Sequence, residues 1–285
     1  MRAAFCLLMV VFSLASVRGA DDGDFYFAVI ADPQFGFWDP EHFPKEEASI
    51  TLAVAELNRL KPKFVVVCGD LINRAGNETE TAAYKRIFGK LATDINLYNV
   101  AGNHDVGGKE LMAYYREHFG SDYYSFRQGL IYGIVINSNM MKERAPSEED
   151  AARQETWLKA ELQKAKASGA RHIMVFQHHP WYLWYADEDD HYFNMPRKAR
   201  KEFLPLFKEA VVRHVFSGHY HGTRVTTYDK SIELITTASA AIPMFASESG
   251  IRFVLVRNGE IDHRYFDYGS IPHAIDLAQG FAKVH

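Results

Sequence analysis

The stretch FYFAVIADPQFG, Phe25 to Gly36, joins an apolar run to a short polar end. Phe25–Ala31 has the aromatic and β-branched composition of a strand. Asp32 follows it directly, and Gln34 comes two residues later. In open α/β sheets, ligands bind beyond the carboxyl ends of the strands. An acid and an amide at a strand tip therefore predict a ligand site there.

Strand-like runs alternate with amphipathic stretches over the first two-thirds of the chain. The predicted helices are Glu46–Leu60, Thr81–Thr93, Lys109–Phe119, Asp150–Ser168 and Pro196–Ala210. The strands predicted after the first are Phe64–Cys68, Asn96–Ala101, Tyr123–Phe126, Leu130–Asn137, Arg171–Gln177 and Val211–Ser217. The last third carries four more without long helices between them, which predicts a β-meander: Thr223–Tyr228, Ile232–Thr237, Ile251–Val256 and Ile261–Tyr265. This order predicts an α/β fold, in which a mixed or partly parallel sheet has helices outside and a second sheet packs against it.

Composition limits the classes of protein to consider. The chain has 285 residues, of which 47% are hydrophobic, so it can bury a sizeable core. We expect a single domain over residues 21–285. The formal net charge of -4 gives no support to nucleic-acid binding through bulk basicity.

Residues 1–20 have the pattern of a cleaved secretory signal. Arg2 precedes an apolar run that is too short to span a bilayer, and small residues follow at Gly19-Ala20. We therefore expect a secreted or periplasmic protein without stable membrane insertion; an uncleaved signal anchor is the alternative. Cleavage would remove Cys6 and leave Cys68, which excludes a disulfide within the chain. Cys68 ends an apolar strand, so we expect a small buried residue and not a nucleophile.

Five short polar stretches each follow an apolar run. They are Asp32-Pro33-Gln34, Gly69-Asp70-Leu71-Ile72-Asn73, Gly102-Asn103-His104-Asp105, Gln177-His178-His179-Pro180 and Gly218-His219-Tyr220-His221. Taken singly, each has an ordinary structural explanation, such as a turn-forming Asp or a hydrogen-bonded core His. Together they place acids, amides and imidazoles at five strand ends, which indicates a metal site.

The five-part pattern resembles that of the calcineurin-like metallophosphoesterases across nearly the whole chain after residue 20. The segments KPKFVVVCGDLIN, VFQHHPW, DEDDHYFN and VFSGHYHG further resemble one branch of that family. In that branch the usual D-x-H motif is D-x-Q, as at Asp32 and Gln34. The related protein in that branch is regarded as a serine/threonine protein phosphatase. The resemblance implies two mixed β-sheets packed as a sandwich and flanked by helices.

The resemblance also implies two divalent metal ions, with a water that bridges them as the nucleophile. Carried over motif by motif, the first ion would bind Asp32, Gln34, Asp70 and His221. The second ion would bind Asp70, Asn103, His178 and His219. Asp70 would bridge the two ions. Two metals roughly 3.5–4 Å apart can clamp a phosphate and stabilise its leaving oxygen.

Gln34 departs from the usual family pattern, which has a histidine at this position. An amide oxygen is a harder and weaker donor than an imidazole nitrogen. Among Mn, Mg, Fe and Zn, we therefore favour Mn or Mg at this site. The alternative is that Gln34 only forms a hydrogen bond to a ligand or water.

His104 and Asp105 are the candidate catalytic residues. The resemblance implies that His104 lies near the leaving oxygen and that Asp105 orients it. A positioned imidazolium can protonate an alkoxide leaving group. Asp105 also suits a cap for the helix predicted from Lys109, and the two roles are compatible.

Two further features lie near the fourth motif. His179 adjoins His178 and points the other way along the strand, so we expect it to support a ligand or the structure. Trp181–Tyr185 and the acidic segment Asp187–Phe193 predict a loop over the site. That loop is either a lid that selects substrate or a solvated loop whose aromatic side chains pack on the core.

The motifs predict a phosphoester hydrolase, most consistent with a phosphomonoesterase acting on a phosphorylated small molecule or protein. Phosphoserine and phosphothreonine are candidate substrates. The alternatives are a phosphodiesterase for nucleotides or lipids and a binding module that holds metals without catalysis. The presence of His104 and Asp105 beside a nearly complete ligand set argues against the binding module.

Overall fold

The chain forms two mixed β-sheets that pack face to face, as seen in the computed structural model, which describes residues 23–144 and 147–281. The strands are β1 (Phe25–Ile30), β2 (Phe64–Val67), β3 (Asn96–Asn99), β4 (Tyr124–Gln128), β5 (Ile131–Val135), β6 (His172–Phe176), β7 (Val212–Ser217), β8 (Arg224–Tyr228), β9 (Ile232–Thr236), β10 (Gly250–Arg257) and β11 (Glu260–Asp267). The helices are α1 (Pro44–Leu60), α2 (Glu78–Phe88), α3 (Lys109–Phe119), α4 (Ser138–Lys142), α5 (Glu148–Ala167) and α6 (Arg197–Glu209). The predicted α/β class with two packed sheets is confirmed.

Each sheet contains a run of adjacent parallel strands. The first has the order β11-β10-β1-β2-β3, in which β1, β2 and β3 are parallel. The second has the order β4-β5-β6-β7-β9-β8, in which β5, β6, β7 and β9 are parallel. Parallel strands have their carboxyl ends at one edge of a sheet. The polar stretches after β1, β2, β3, β6 and β7 can therefore meet at the same end of the sandwich.

The prediction of one β-meander in the last third is wrong. β8 and β9 form a hairpin at the edge of the second sheet, whereas β10 and β11 form a hairpin in the first sheet. β10 pairs with β1 in antiparallel fashion, with Phe27 opposite Val254. Seven of its eight residues are buried, so both of its faces are covered. An apolar strand of this kind needs an interior place, which it finds beside β1.

The space between the sheets is filled mainly by aromatic and β-branched side chains. The rings of Phe27 and Phe64 stack at 4.4 Å, and those of Phe176 and Phe216 stack at 5.4 Å. Cys68 is buried in this layer as a free thiol, as predicted. The helices cover the outer faces of the two sheets. This rigid layer fixes the strand ends that carry the polar motifs.

Two helices differ from the sequence prediction by more than two residues at an end. α2 begins three residues before Thr81 because the Asn77 side chain caps it, accepting a hydrogen bond from the Glu80 amide. It also ends five residues before Thr93. The short helix α4 was not predicted, because five residues are too few to show a helical period. α4 matters because it positions Lys142 near the site.

The predicted signal over residues 1–20 lies outside the described residues and stays a prediction, as does the single domain over 21–285. In residues 23–144 and 147–281, each helix is too short or too polar to cross a membrane.

Candidate metal centre

The five polar stretches meet at the carboxyl ends of the parallel strands. The deeply buried members are Asp32, Gln34, Asp70, His178, His219 and His221. Asn103 and His104 are half-buried beside them. The structure therefore brings together every residue that the sequence suggested as a metal ligand.

Several of these residues have a left-handed backbone. The φ angles are 49° at Asp32, 49° at Asp70, 65° at His219 and 54° at His221. Such φ angles are uncommon for residues with a side chain and cost free energy. The turns are held by hydrogen bonds such as the one from the Asp32 amide to the Gly69 carbonyl, at 3.1 Å. These left-handed residues turn the chain sharply after the strands and bring the side chains to one point.

Two glycines allow this close approach. A Cβ atom on Gly69, whose φ is +85°, would lie 2.4 Å from Nδ1 of His178. A Cβ atom on Gly102 would lie 2.1 Å from the Asp70 amide nitrogen and from its Oδ1. A side chain at position 69 would therefore clash with the His178 ring, and one at position 102 would clash with Asp70.

Main-chain carbonyls fix the orientation of three imidazoles. Nδ1 of His178 lies 2.9 Å from the Cys68 carbonyl. Nε2 of His219 lies 3.0 Å from the Tyr192 carbonyl, and Nδ1 of His221 lies 2.8 Å from the Ile242 carbonyl. A carbonyl only accepts, so each of these nitrogens carries the proton. When such a ring is neutral, its other nitrogen has a free lone pair, as metal-binding histidines require.

These lone pairs converge with oxygen acceptors. Nε2 of His178 lies 2.9 Å from Oδ1 of Asn103, 3.2 Å from Oδ2 of Asp70 and 3.1 Å from Nδ1 of His219. In the neutral tautomers above, none of these four atoms carries a hydrogen. Four acceptors at such short range, three of them on deeply buried residues, repel each other unless a proton or a cation lies among them. The arrangement suits a metal ion.

A second convergence lies around Asp32. One ligand atom each from Asp32, Asp70 and His178 all lie within 4.8 Å of one another. Oδ1 of Asp32 is 3.6 Å from Nε2 of His221, and both carboxylate oxygens accept from the His219 amide at 3.0 Å. Asp70 thus belongs to both convergences, which is the position expected of a bridging ligand.

Gln34 has an unusual hydrogen-bond environment. Its amide nitrogen donates to Oδ1 of Asn73 at 3.1 Å, which fixes the direction of the amide group. Its Oε1 is buried and has no hydrogen-bond partner among the described residues. A buried amide oxygen without a partner is costly unless something absent from the protein satisfies it. A cation at this position would do so.

The charges of the site are strongly coupled. Burial raises the pKa of Asp32 well above its usual range, and the nearby Asp70 carboxylate adds to the rise. Burial acts in the same direction on Asp70, but the imidazoles of His178, His104 and His219 outweigh it and lower that pKa. Burial disfavours protonated His178, yet the carboxylates of Asp70 and Asp32 outweigh it and raise its pKa to about 9. The two carboxylates therefore lie in a buried pocket that favours a positive charge between them.

His104 is beside Asp70 but is not oriented by Asp105. Its amide donates to Oδ1 of Asp70 at 2.9 Å, and its ring Nδ1 lies 2.9 Å from the Asn73 carbonyl. The Asp105 carboxylate instead accepts from the amides of Ile72 and Gly102 at 3.0 and 2.8 Å. The expectation that Asp105 orients His104 is therefore not supported by a hydrogen bond to the ring, since both carboxylate oxygens have backbone partners. Asp105 holds the two loops together, because the turn after Gly102 directs its side chain toward the backbone of the second motif.

The position of His179 agrees with a supporting role. Its ring Nδ1 lies 2.9 Å from the Ser138 hydroxyl, and its ring lies 4.3 Å from that of His219. Burial lowers its pKa well below the usual range, so the ring is neutral. His179 packs behind the site and braces His219.

The aromatic and acidic segment after Pro180 is a folded wall of the site. Trp181, Tyr182 and Leu183 are buried, whereas Trp184 and Tyr185 are more than half exposed. The alternative in which aromatic side chains pack on the core thus holds for Trp181 and Tyr182. The role of a lid that selects substrate stays a prediction.

Charged side chains hold the acidic part of this segment in place. The buried Arg200 donates to the carbonyls of Met195, Ala186 and Glu188 at 2.6 to 3.0 Å. Glu188, also buried, accepts from the Leu183 and Trp184 amides at 2.9 Å. Glu188 and Arg200 are therefore structural, whereas Asp187, Asp189 and Asp190 are exposed to solvent.

Lys142 was missed by the sequence analysis. Its Nζ donates to the carbonyls of His191, Tyr192 and Asn194 at 3.3, 2.8 and 2.6 Å. Burial lowers its pKa to about 8. The Tyr192 carbonyl also accepts from His219, so Lys142 supports a candidate ligand through the backbone. Carbonyl groups are common to all residues and leave no signal in the sequence.

Comparison with known proteins agrees with this geometry. The family model described as calcineurin-like phosphoesterase matches residues 25–223. The chain is 35% identical over 263 residues to a Bos taurus protein named serine/threonine-protein phosphatase CPPED1, covering 86% of this chain and 84% of that protein. It is 34% identical over 266 residues to the Homo sapiens protein of the same name, with the same coverage.

Solved structures share the fold at low sequence identity. A dimetal phosphatase from Danio rerio has a TM-score of 0.64 at 14% identity, covering 86% of this chain and 96% of that one. GAP50, the anchor in the inner membrane complex of Plasmodium, has a TM-score of 0.66 at 17% identity, covering 86% and 85%.

The family match and these relatives agree with the buried His and Asp donors at the strand ends. The chain belongs to the calcineurin-like phosphoesterase family of hydrolases.

Proposed function

We propose that the protein is a dinuclear metal-dependent phosphomonoesterase that removes phosphate from phosphoserine or phosphothreonine in proteins. The observation that carries this proposal is the convergence of lone pairs from His178, His219, Asn103 and Asp70 at 2.9 to 3.2 Å. The protein substrate is supported by the names of the CPPED1 relatives, which describe serine/threonine-protein phosphatases.

The donor atoms fit two divalent ions. One would be held by Asp32, Gln34, Asp70 and His221, and the other by Asp70, Asn103, His178 and His219. Bound there, the two ions would clamp the phosphate, activate a water molecule and stabilise the leaving oxygen.

Support for Gln34 as a ligand comes from its unpartnered buried Oε1. The hydrogen bond from its nitrogen to Asn73 keeps that oxygen turned away from Asn73. Carboxylate and amide oxygens favour Mn or Mg over softer metals. The three other ligands at this ion include one imidazole, so Zn and Fe would also bind, with less advantage than at a site with more imidazoles.

His104 is assigned the role of general acid, which donates a proton to the leaving oxygen. Its Nδ1 hydrogen is held by the Asn73 carbonyl, so the ring is fixed and Nε2 is left to exchange a proton. The hydrogen bond from its backbone amide to Oδ1 of Asp70 keeps His104 next to the expected bridging ligand. A protonated Nε2 can donate to a departing serine or threonine alkoxide. Asp105 takes part by holding the loop after Gly102, and not by contacting the ring.

Three substrates test this proposal. The metal-loaded chain is assayed with a phosphoserine peptide, p-nitrophenyl phosphate and bis-p-nitrophenyl phosphate. We expect hydrolysis of both monoesters and much slower hydrolysis of the diester. A diesterase rate above the monoesterase rate would contradict the proposal and favour a phosphodiesterase.

A further inference from the structure

A row of aromatic rings leads from the metal centre to the protein surface. We call it the aromatic ridge; it consists of Tyr192, Phe193, Tyr220, Phe245 and Trp184. The rings of Tyr192 and Phe193 lie 4.7 and 5.8 Å from the His219 ring. Phe193 in turn contacts Tyr220 and Phe245 at 5.4 and 5.6 Å, and Trp184 lies 6.3 Å from Tyr220. The ridge is therefore continuous with the site.

Three members of the ridge are unusually exposed for large apolar side chains. The exposed fractions are 53% for Trp184, 58% for Tyr192 and 52% for Phe245. Single exposed aromatic residues are common, but a contiguous exposed patch beside a functional site marks a binding surface. The rings come from three separate segments of the chain, so the surface is extended and not one narrow slot.

The ridge is held in shape before any ligand binds. Glu188 accepts from the backbone amide of Trp184 at 2.9 Å, which fixes the loop that carries it. The rings of Tyr220 and Phe245 stack in parallel at 4.5 Å. A surface that is already ordered loses little conformational entropy on binding.

Arg224 adds a positive charge to the outer part of the ridge. Its guanidinium lies 5.7 Å from the ring centre of Trp184 and 5.8 Å from that of Tyr220. These cation–π contacts hold the charge next to the apolar surface. A ligand on the ridge would therefore meet rings near the metal centre and a cation farther out.

The ligand that matches this order is a peptide. When a phosphate lies at the buried metal centre, the main chain of the phosphorylated residue has to remain outside, at the rim beside Tyr192. An apolar neighbour of that residue can pack on the exposed rings, and an acidic residue beyond it can pair with Arg224.

We propose that the aromatic ridge binds the segment that flanks the phosphorylated residue, selecting an apolar side chain next to it and an acidic side chain farther along. This inference rests on the proposed phosphatase function, because it names the substrates that this function would prefer.

The test uses three phosphoserine peptides of equal length. One carries Leu beside the phosphoserine and Glu three residues away, the second has Gly in place of Leu, and the third has Gln in place of Glu. For the unmodified chain we expect kcat/KM to be roughly tenfold higher with Leu than with Gly, the usual discrimination of an apolar pocket. Trp184→Ala and Phe245→Ala should bring that ratio close to one. Arg224→Gln should remove only the preference for Glu over Gln.

Val225→Ala is the matched control. Val225 is also exposed, at 49%, but it adjoins Arg224 on the same strand and so points to the other side. This variant should keep both preferences.

Equal kcat/KM values for all three peptides in the unmodified chain would overturn the ridge proposal while leaving the phosphatase proposal intact. Hydrolysis of p-nitrophenyl phosphate without hydrolysis of any peptide would overturn both the ridge and the protein substrate. Binding to phosphatidylcholine vesicles that is lost in Trp184→Ala would assign the ridge to a membrane instead.

Discussion

Gln34 shows how one side chain can tune the candidate metal centre. It takes the place where the family pattern usually has an imidazole, and it has a buried oxygen without a hydrogen-bond partner. An amide donates less electron density to a metal than an imidazole does, and it is harder. The identity of this residue should therefore change which metal binds, while Asp32, Asp70 and His221 keep the site in place.

Gln34→His should tighten metal binding at the first site and shift its preference from manganese toward zinc. Competition between the two metals, followed by metal analysis of the purified variant, measures this preference. Gln34→Leu is the companion variant, because it keeps the size and removes the donor, and it should weaken the first ion. If neither substitution changes affinity or selectivity, Gln34 does not bind the metal.

His104→Asn should lower turnover of a phosphoserine peptide by about 10²- to 10⁴-fold, which is the usual contribution of a positioned general acid. A serine alkoxide is a poor leaving group and needs the proton, whereas nitrophenolate is a good one. The loss with p-nitrophenyl phosphate should therefore be much smaller. Steady-state kinetics with both substrates and a metal analysis check this. Equal losses with both substrates would assign His104 to phosphate binding.

Asp105→Asn is the control for that experiment. Because Asp105 contacts the Ile72 and Gly102 amides and not the His104 ring, its loss should lower turnover of both substrates alike. A loss confined to the peptide substrate would show that Asp105 acts through the His104 proton after all.

At the scale of elements, α4 and the segment after Pro180 work as one support. Lys142 at the end of α4 donates to three carbonyls of that segment, among them the Tyr192 carbonyl that orients His219. The Tyr192 carbonyl thus connects α4 to the candidate ligand His219.

Lys142→Met keeps the apolar stem and removes the charged donor. We expect metal affinity to fall by about 10-fold or more, the usual effect of losing a group that orients a ligand. Isothermal titration with manganese measures the affinity, and Lys142→Arg should recover part of it by restoring a donor. Unchanged affinity in Lys142→Met would show that the Tyr192 carbonyl holds His219 without help.

Elements differ in how well the sequence predicts them. Strands such as β1 and β6 are long apolar runs with polar ends, and their polar ends also revealed Asp32 and His178. The five residues of α4 show no period, and the partner of β10 depends on both of its faces being buried. The carbonyls of Cys68, Tyr192 and Ile242 orient the histidines, and a main-chain group cannot be recognised in a sequence. The residues of the site could therefore be predicted from the sequence. The histidine tautomers and the main-chain groups that orient the histidines could not.

At the scale of the whole molecule, the largely buried ring of His214 makes the stability of the fold depend on pH. His214 lies near the amino end of β7, where burial lowers its pKa to about 4 despite Glu233 at 3.8 Å. Its Nδ1 is buried without a partner among the described residues. The folded chain therefore holds this ring in its neutral form well below pH 6.5.

This largely buried ring predicts a loss of stability on acidification. As the pH falls from about 6.5 to 4, the unfolded chain takes up a proton at His214 and the folded chain does not, so the free energy of unfolding decreases by up to about 3 kcal/mol. His214→Phe keeps a ring next to Phe216 and should lose that much less stability over this range. Urea unfolding at pH 7 and pH 4 compares the two chains, with the exposed His42→Gln as control. Parallel losses in all three would show that His214 does not contribute.

The most direct test of the dinuclear hydrolase is the metal content and activity of Asp70→Asn. The substitution keeps the shape of Asp70 and removes the charge that the two ions would share. We predict two divalent ions per unmodified chain and fewer in Asp70→Asn. The variant should lose nearly all phosphatase activity while its circular dichroism spectrum stays unchanged. Two bound ions with near-normal turnover in Asp70→Asn would contradict the assigned ligand set.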